Sequence, residues 1–532
     1  MRSSLSAARI VSTTVPDVSE TPKEQVRTAE VIASLCLATD LGVGFPFEHG
    51  LKATLTTMRL CDAMNVDSEI ASQTYYAALL RHVGCTTNAE VGAHLFHGSI
   101  TKSGAHREFG SPLERVAGLV GAIPDPDAAL PRRVSQLVVG FPRVARYGKD
   151  HFVAYCEVEE MLAEQLGLPP SIHGLFPLRA EIWDGFSILR RAKGDEIPLP
   201  LRITHVGADA AYQRLMGDDD HVVETIKSRG GRGLDPSIAE AFVASAPEII
   251  GNDDGGSVWN DVLAAEPKPW LTLEDGAIDR ALSAIGAFAD LASPYLTGHA
   301  SGVGALAAEA GKWLGMSETE VMTVRRAGYL HDVGRVAVHP RVWTKDGPLT
   351  ADDWEQVRLH PYHTERVFAR SPYLAPLASI ACSHHERLDG SGYHRGIGAA
   401  ALPSATRLLA VADAFHSKTE PRPYREALSP KKATEILATK AKDGGLDPDM
   451  VMAVAEAAGQ QAPTIERPAG LTEREVEVIG LLARGMQTKQ IARALDIAVK
   501  TADRHIQNGY RKIGVSTRAA ATLFATEHGL VR

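Results

Sequence analysis

Residues 325–334 read "RRAGYLHDVG", and residues 75–84 read "YYAALLRHVG". Both are apolar helix ends running into a Val-Gly pair, and the likeness extends outward in both directions. Before them, "EHGLKATLTTMRLCDAM" parallels "GHASGVGALAAEAGKWLGM", with His49 and His299 in matching places. After them, "RAEIWDG" and "IPLPLRITHVGADAA" parallel "HHERLDG" and "ALPSATRLLAVADAF". Finally "RGLDPSIAEAF" parallels "GGLDPDMVMAV". Agreement at three separated places indicates an internal repeat. The apolar residues recur three and four apart, the period of an amphipathic helix, and no sustained alternation marks a strand. The expected fold is all-α, with two tandem helical domains of one design and a third, smaller helical unit.

The expected limits are a flexible tail at 1–25, a first domain at 26–260, a second at 270–460, a linker at 461–469 and a last domain at 470–532. A proline-bearing stretch, "QAPTIERPA", supports the linker. The run ending at Gly334 reads as a helix stopped by that glycine.

The whole chain has 532 residues, 44% hydrophobic, with net charge −9 and pI about 6.1. No global basic field advertises nucleic acid, so any DNA contact must come from a local patch. Five scattered cysteines, with no CxxC spacing, suit a reducing cytoplasm rather than a disulfide framework. No apolar run is long enough for a membrane span.

The two copies differ where chemistry would lie. The second copy carries His299, the dyad His331-Asp332, His360, the dyad His384-His385, and Asp413. The first copy has Arg81-His82, Arg179-Ala180 and Ala208 at the corresponding dyads and aspartate. Arginine stays protonated and cannot ligate a metal. The first copy therefore reads as a degenerate structural or regulatory domain. Seven imidazole and carboxylate groups exceed what one ion needs. They suit two divalent transition-metal ions, iron or manganese ahead of zinc, close enough to share a carboxylate and activate a water. Histidines beside a polar loop also arise without function, so the stretch "SHHERLDGSGYH" at 383–394 decides nothing alone.

With the dyad, "HDVGR", "HHERLDGSGYH" and "EPRPYR" in order, the second copy resembles the HD metal-dependent phosphohydrolases, in their HD-GYP branch. The resemblance implies hydrolysis of a cyclic dinucleotide, cyclic di-GMP first. It implies catalytic roles for His331, Asp332 and Arg335, and substrate contacts from Arg335, Asp389, Gly392, Tyr393, Arg422 and Arg425. A solvated surface pair is the plain alternative for Arg422 and Arg425. Three departures stand out: His394 replaces the family proline, Arg335 replaces a lysine, and Tyr295 stands where trinuclear members carry a glutamate. The last favours two metals.

Residues 471–514 begin with Thr472 and Glu475, spaced as a capping box. "TKQIARALDI" and "VKTADRHIQNGYRKIG" follow as a short helix and a longer one. From 468 to 532, ten Lys and Arg oppose six Asp and Glu, so this segment is basic in an acidic chain. It resembles the LuxR-type helix-turn-helix. The resemblance implies duplex DNA as partner, binding as a homodimer, and contacts from Lys489, Lys500, Thr501, Arg504, His505, Arg511 and Lys512. A helical protein-interaction module is the alternative. Gly509, inside the long helix, has no explanation in the sequence. The combined expectation is a cytoplasmic phosphodiesterase joined to a transcriptional regulator. Two rivals are a nucleotide sensor without turnover and a phosphohydrolase of another nucleotide.

Overall fold

The computed structural model describes residues 24–86, 107–125, 127–251, 256–463 and 468–531. Most of the expected tail and positions 464–467 of the expected linker lie outside the described residues. The described chain is helical throughout, apart from two three-residue strands that the sequence pattern missed. Gln25–Arg27 pairs antiparallel with Thr272–Glu274, Val26 opposite Leu273. Three residues are too few to show alternation.

That small ribbon ties the start of the first copy to the start of the second. The next helix, Thr28–Val43, is buried along most of its length. It packs on the second copy's turn Val333–Ala337 and helix Ala351–Phe368. Ser371 Oγ donates to Glu30 at 2.7 Å, and Arg326 Nη1 donates to Glu24 at 2.6 Å. One continuous apolar core runs from Val26 to Val454 through both copies.

The copies repeat their internal fastenings as well as their sequence. Asp40 accepts the Gly50 amide at 3.0 Å, and Asp290 accepts the Ala300 amide at 3.0 Å. Arg202 meets Asp235 at 2.7 Å, and Arg407 meets Asp447 at 3.4 Å. The Gly84 amide donates to Glu159, and the Gly334 amide donates to Thr364 Oγ1.

Gly334 is not the helix stop that its position suggested. The helix Glu318–Leu330 ends earlier, and Gly334 lies inside the short turn Val333–Ala337. A Cβ there would sit 2.0 Å from the His360 carbonyl oxygen and 2.5 Å from the Thr364 amide nitrogen. The glycine lets the dyad turn press against the helix that carries His360. Gly334→Ala should therefore cost about 1–3 kcal/mol, the usual range for forcing atoms into a packed site. Urea unfolding checks this; a wild-type midpoint would contradict it.

The last unit has its own core of Val478, Ile479, Leu482, Ile491, Ala502 and Ile506. Its helices are Glu473–Ala483, Thr488–Ala494, Val499–Ile513 and Arg518–Glu527. Thr472 and Glu475 form the capping box. Gly509 now has a physical account. A Cβ would meet Ile479 Cδ1 at 3.0 Å, so the glycine lets the first and third helices approach closely.

Candidate metal centre

Five elements of the second copy converge at one point. His299 opens the helix His299–Trp313, and His331 caps Glu318–Leu330 with Asp332 following. His360 sits within Ala351–Phe368, His384 and His385 follow Ala375–Ala381, and Asp413 lies within Ser404–Thr419. All seven come together. Six are buried, and the His385 side chain retains 16% exposure.

Asp332 is central. Its Oδ2 lies 2.9 Å from His331 Nε2 and 3.3 Å from His299 Nε2. Its Oδ1 lies 3.2 Å from His360 Nε2 and 3.4 Å from His384 Nε2. Asp413 Oδ1 is 3.4 Å from His299 Nε2, and its Oδ2 is 3.8 Å from His385 Nδ1. Three of the outer ring nitrogens are held by backbone carbonyls. His331 Nδ1 bonds Gly328 O at 2.7 Å, His360 Nδ1 bonds Val357 O at 2.5 Å, and His384 Nδ1 bonds Ala381 O at 2.6 Å. A carbonyl oxygen only accepts, so each Nδ1 carries the hydrogen. In the neutral rings each Nε2 then points a lone pair inward. Although Arg335 makes an ion pair with Asp332 Oδ2, both Asp332 oxygens, Asp413 Oδ1, and Nε2 of His299 and His331 are buried and make no well-directed hydrogen bond. Buried polar atoms normally find one. Converging, unmatched N and O donors fit a first-row divalent cation. Among the described residues three groups are arranged for one: His299, His331 and Asp332; His360, His384 and His385; and His299, His416 and Glu420, the first and last sharing His299.

For most of the set the protonation states suit ligation. Burial opposes ionising Asp332, but Arg335 and His331 hold its carboxyl well below the usual carboxylate range. Burial likewise opposes ionisation of Asp413, which the surrounding histidines hold low. Burial pushes His360 down to about 4 and depresses His384 and His385, favouring neutral rings. His299 moves the other way: burial depresses it, but Asp332, Asp413 and Glu420 together raise it.

The signature loop folds over His385. A Cβ on Gly392 would lie 2.6 Å from the His385 carbonyl oxygen and 2.5 Å from the Arg387 amide, so only glycine fits. Tyr393 stacks 4.6 Å from the His385 ring. Asp389 Oδ1 accepts the Ser391 amide and hydroxyl, shaping the loop. His394 faces Tyr362 at 6.1 Å.

Of the arginines, Arg335 is nearest the centre, with Nη1 2.5 Å from Asp332 Oδ2 and its guanidinium 5.3 Å over Trp343. Arg422 donates to the Tyr295 carbonyl at 2.6 Å and to Glu420 at 2.8 Å. Arg425 donates to the carbonyls of Ser417, Lys418, Glu420 and Glu426, so it knits its own loop. The sequence reading missed Glu420 and His416, which lie against His299. One signal was available: His416 and Glu420 follow Asp413 at intervals of three and four, on one helical face.

The first copy fills the corresponding space with its own side chains. Arg81 pairs with Glu108 at 3.0 Å and Arg179 with Glu159 at 2.6 Å. His82 receives the Tyr212 hydroxyl at 3.0 Å, and Phe45, His49 and Tyr212 stack around it. Burial and the nearby Arg81 drive His82 far below its ordinary range. Among the described residues, two cations and an aromatic cluster offer a metal ion nothing comparable there.

In the last unit, Lys489, Lys500, Thr501, Arg504 and Arg511 are exposed, and His505 is half-buried. Lys512 is engaged inside the unit: its Nζ donates to Gly470 O at 2.9 Å and to Glu475 at 2.7 Å. It therefore braces the first and third helices of the unit.

Residues 286–450 match the HD domain family, and residues 469–525 match the bacterial regulatory proteins of the luxR family. A 3'3'-cGAMP-specific phosphodiesterase of Vibrio cholerae is 25% identical over 414 residues, 77% of this chain and 90% of that protein. A cyclic di-GMP phosphodiesterase of Thermotoga maritima is 38% identical over 129 residues, 24% of this chain and 35% of that protein. The cyclic di-GMP phosphodiesterase response regulator RpfG of Xanthomonas campestris is 40% identical over 116 residues, 21% of this chain and 31% of that protein. The crystal structure of a cyclic GMP-AMP specific phosphodiesterase of V. cholerae covers 82% of this chain and 98% of its own, with 23% identity and a TM-score of 0.57. That structure shares the fold.

Proposed function

We propose that this chain, an HD-type metal-dependent phosphohydrolase carrying a LuxR-type DNA-binding module, cleaves a cyclic dinucleotide at its second copy and couples that site to DNA binding. The observation that carries the reading is the two-sided Asp332, one oxygen toward His299 and His331 and the other toward His360 and His384. A carboxylate so placed suits two cations, with Asp413 and His385 completing the set. Iron or manganese fits this mixture of imidazole and carboxylate ahead of zinc. Two such ions supply a water-derived nucleophile at neutral pH and offset charge on phosphoryl oxygens.

The chain's own residues do the rest. Arg335, held beside Asp332, offers guanidinium N–H groups to a phosphoryl oxygen as charge builds there. Arg422 is the second phosphate contact. The Tyr393 ring, tilted against His385, lies beside the centre and is the aromatic face offered to the substrate. A base can stack there.

The relatives narrow the choice of substrate to cyclic dinucleotides. One relative aligned over most of this chain is named for 3'3'-cGAMP, and those aligned over shorter stretches are named for cyclic di-GMP or for 3'3'-cGAMP. Both are tested first. The module acts on duplex DNA as a homodimer. A direct contact supports the coupling: Arg407, which also meets Asp447, donates to the Gly529 carbonyl of the last unit at 2.6 Å and to Ala399 O, at the end of the signature loop, at 2.8 Å. No helix among the described residues is long and apolar enough to cross a membrane, and four cysteines are buried and unpaired. Both suit work in the cytoplasm.

The test is a turnover assay on manganese- or iron-loaded protein with cyclic di-GMP, 3'3'-cGAMP and linear nucleotides. Cleavage of a cyclic dinucleotide is expected. Tight binding with no cleavage would instead favour a sensor, the reading that His394 in place of proline and the fused module support.

A further inference from the structure

Glu420 lies just past the end of the Asp413 helix and touches three groups. Its Oε2 accepts His299 Nδ1–H at 2.9 Å and Arg422 Nη2–H at 2.8 Å. Its Oε1 faces His416 Nδ1 at 3.0 Å. The other inward-pointing histidines, His331, His360 and His384, are held by backbone carbonyls. Among the described residues, His299 is the ligand-type histidine here whose outer nitrogen is held by a side-chain carboxylate. Such a partner fixes the ring and raises its basicity toward a cation.

The brace has its own seat. His416 packs against the turn that follows His299, where a Cβ on Gly302 would come within 2.0 Å of His416 Nε2. The corresponding places in the first copy hold Lys52, Ala211 and Leu215 instead of Gly302, His416 and Glu420. The degenerate copy has thus lost the brace together with the ligands, as expected if the brace serves the ligands.

We infer that Glu420, steadied by His416, is a positioning residue: it holds His299 toward the metal position shared with His331 and Asp332, and it holds Arg422 at the edge of the same site. The inference rests on the metal-centre reading above and adds a division of labour to it. One cation position depends on a side chain outside the ligand set, and the other does not.

The experiment is a Mn²⁺ titration of the full chain, followed by the EPR signal of free Mn²⁺, for wild type, Glu420→Ala, Glu420→Gln and Gly302→Ala. Melting of each apoprotein is measured alongside. Glu420→Ala should weaken one of two Mn²⁺ sites by about 10–100-fold, the usual effect of losing an outer partner, and leave the other unchanged. Glu420→Gln keeps an acceptor oxygen and should fall between Ala and wild type. Gly302→Ala displaces His416 without altering Glu420 and should give a smaller loss at the same site. Apoprotein melting should not move with Glu420→Gln. Unchanged affinity at both sites in Glu420→Ala overturns the inference. So does a uniform loss at both sites with lowered apoprotein melting, which marks a merely structural role. A wild type that binds no Mn²⁺ would instead overturn the metal-centre reading itself.

Discussion

Asp332→Asn should remove bound metal and phosphodiester hydrolysis together. Asparagine preserves shape but gives up the negative charge and one oxygen. Four imidazole nitrogens lie within 3.4 Å of the two carboxylate oxygens, so no other side chain of the centre is shared so widely. The substitution also leaves Arg335 facing a neutral amide in a buried site. Losing an outer partner of a metal ligand already costs about 10–100-fold, so losing the shared carboxylate should exceed the upper end of that range in both metal affinity and kcat/KM. Elemental analysis and the turnover assay read the two effects. Full metal content with normal turnover would remove Asp332 from the centre. The matching change in the first copy, His82→Ala, should leave metal content unchanged, because His82 already bonds Tyr212 among stacked rings.

The second large effect concerns DNA. Lys500→Ala combined with Arg504→Ala should weaken duplex binding by more than about tenfold and flatten its salt dependence by roughly one unit of slope for each lost phosphate contact. Both residues stand exposed on the leading half of Val499–Ile513, while Ala502, Ile506 and Gly509 face the unit's core. The exposed face is therefore free to enter a groove. Anisotropy titrations at several salt concentrations measure both quantities. Binding that survives the double substitution with an unchanged slope would place the DNA contact elsewhere. Lys512→Ala belongs to another class. Its ammonium bridges Gly470 and Glu475, so it should lower the unit's stability before it changes the salt slope.

How much of this was visible in the sequence depended on the range of the interaction. The seven metal-type residues were legible because each sits in a short motif, and comparing the copies showed which of them the first had lost. The capping box at Thr472 and Glu475 was legible for the same reason: both partners lie within one helical turn. The internal hydrogen bonds of Arg425 and Lys512 were opaque because charge alone does not say which carbonyl oxygens lie within reach. Gly334 and Gly509 were opaque because their role is close approach to residues distant in sequence, His360 and Ile479. Glu420 escaped notice because its neighbours in "EPRPYR" drew attention to the arginines, while its partner His299 lies 121 positions away. The shared core was hidden for a similar reason. The helix Thr28–Val43 reads as first-copy structure, yet part of its buried face belongs to the second copy's dyad turn.

The central claim is that one binuclear centre, built around Asp332 in the second copy, carries the chemistry. Anomalous diffraction from crystals of the full chain, collected at the manganese or iron edge, tests it most directly. The account predicts two peaks flanking Asp332, one beside His299 and His331 and one beside His360 and His384, with none at His82. A single peak away from Asp332, or a peak among Arg81, His82 and Tyr212, would contradict it.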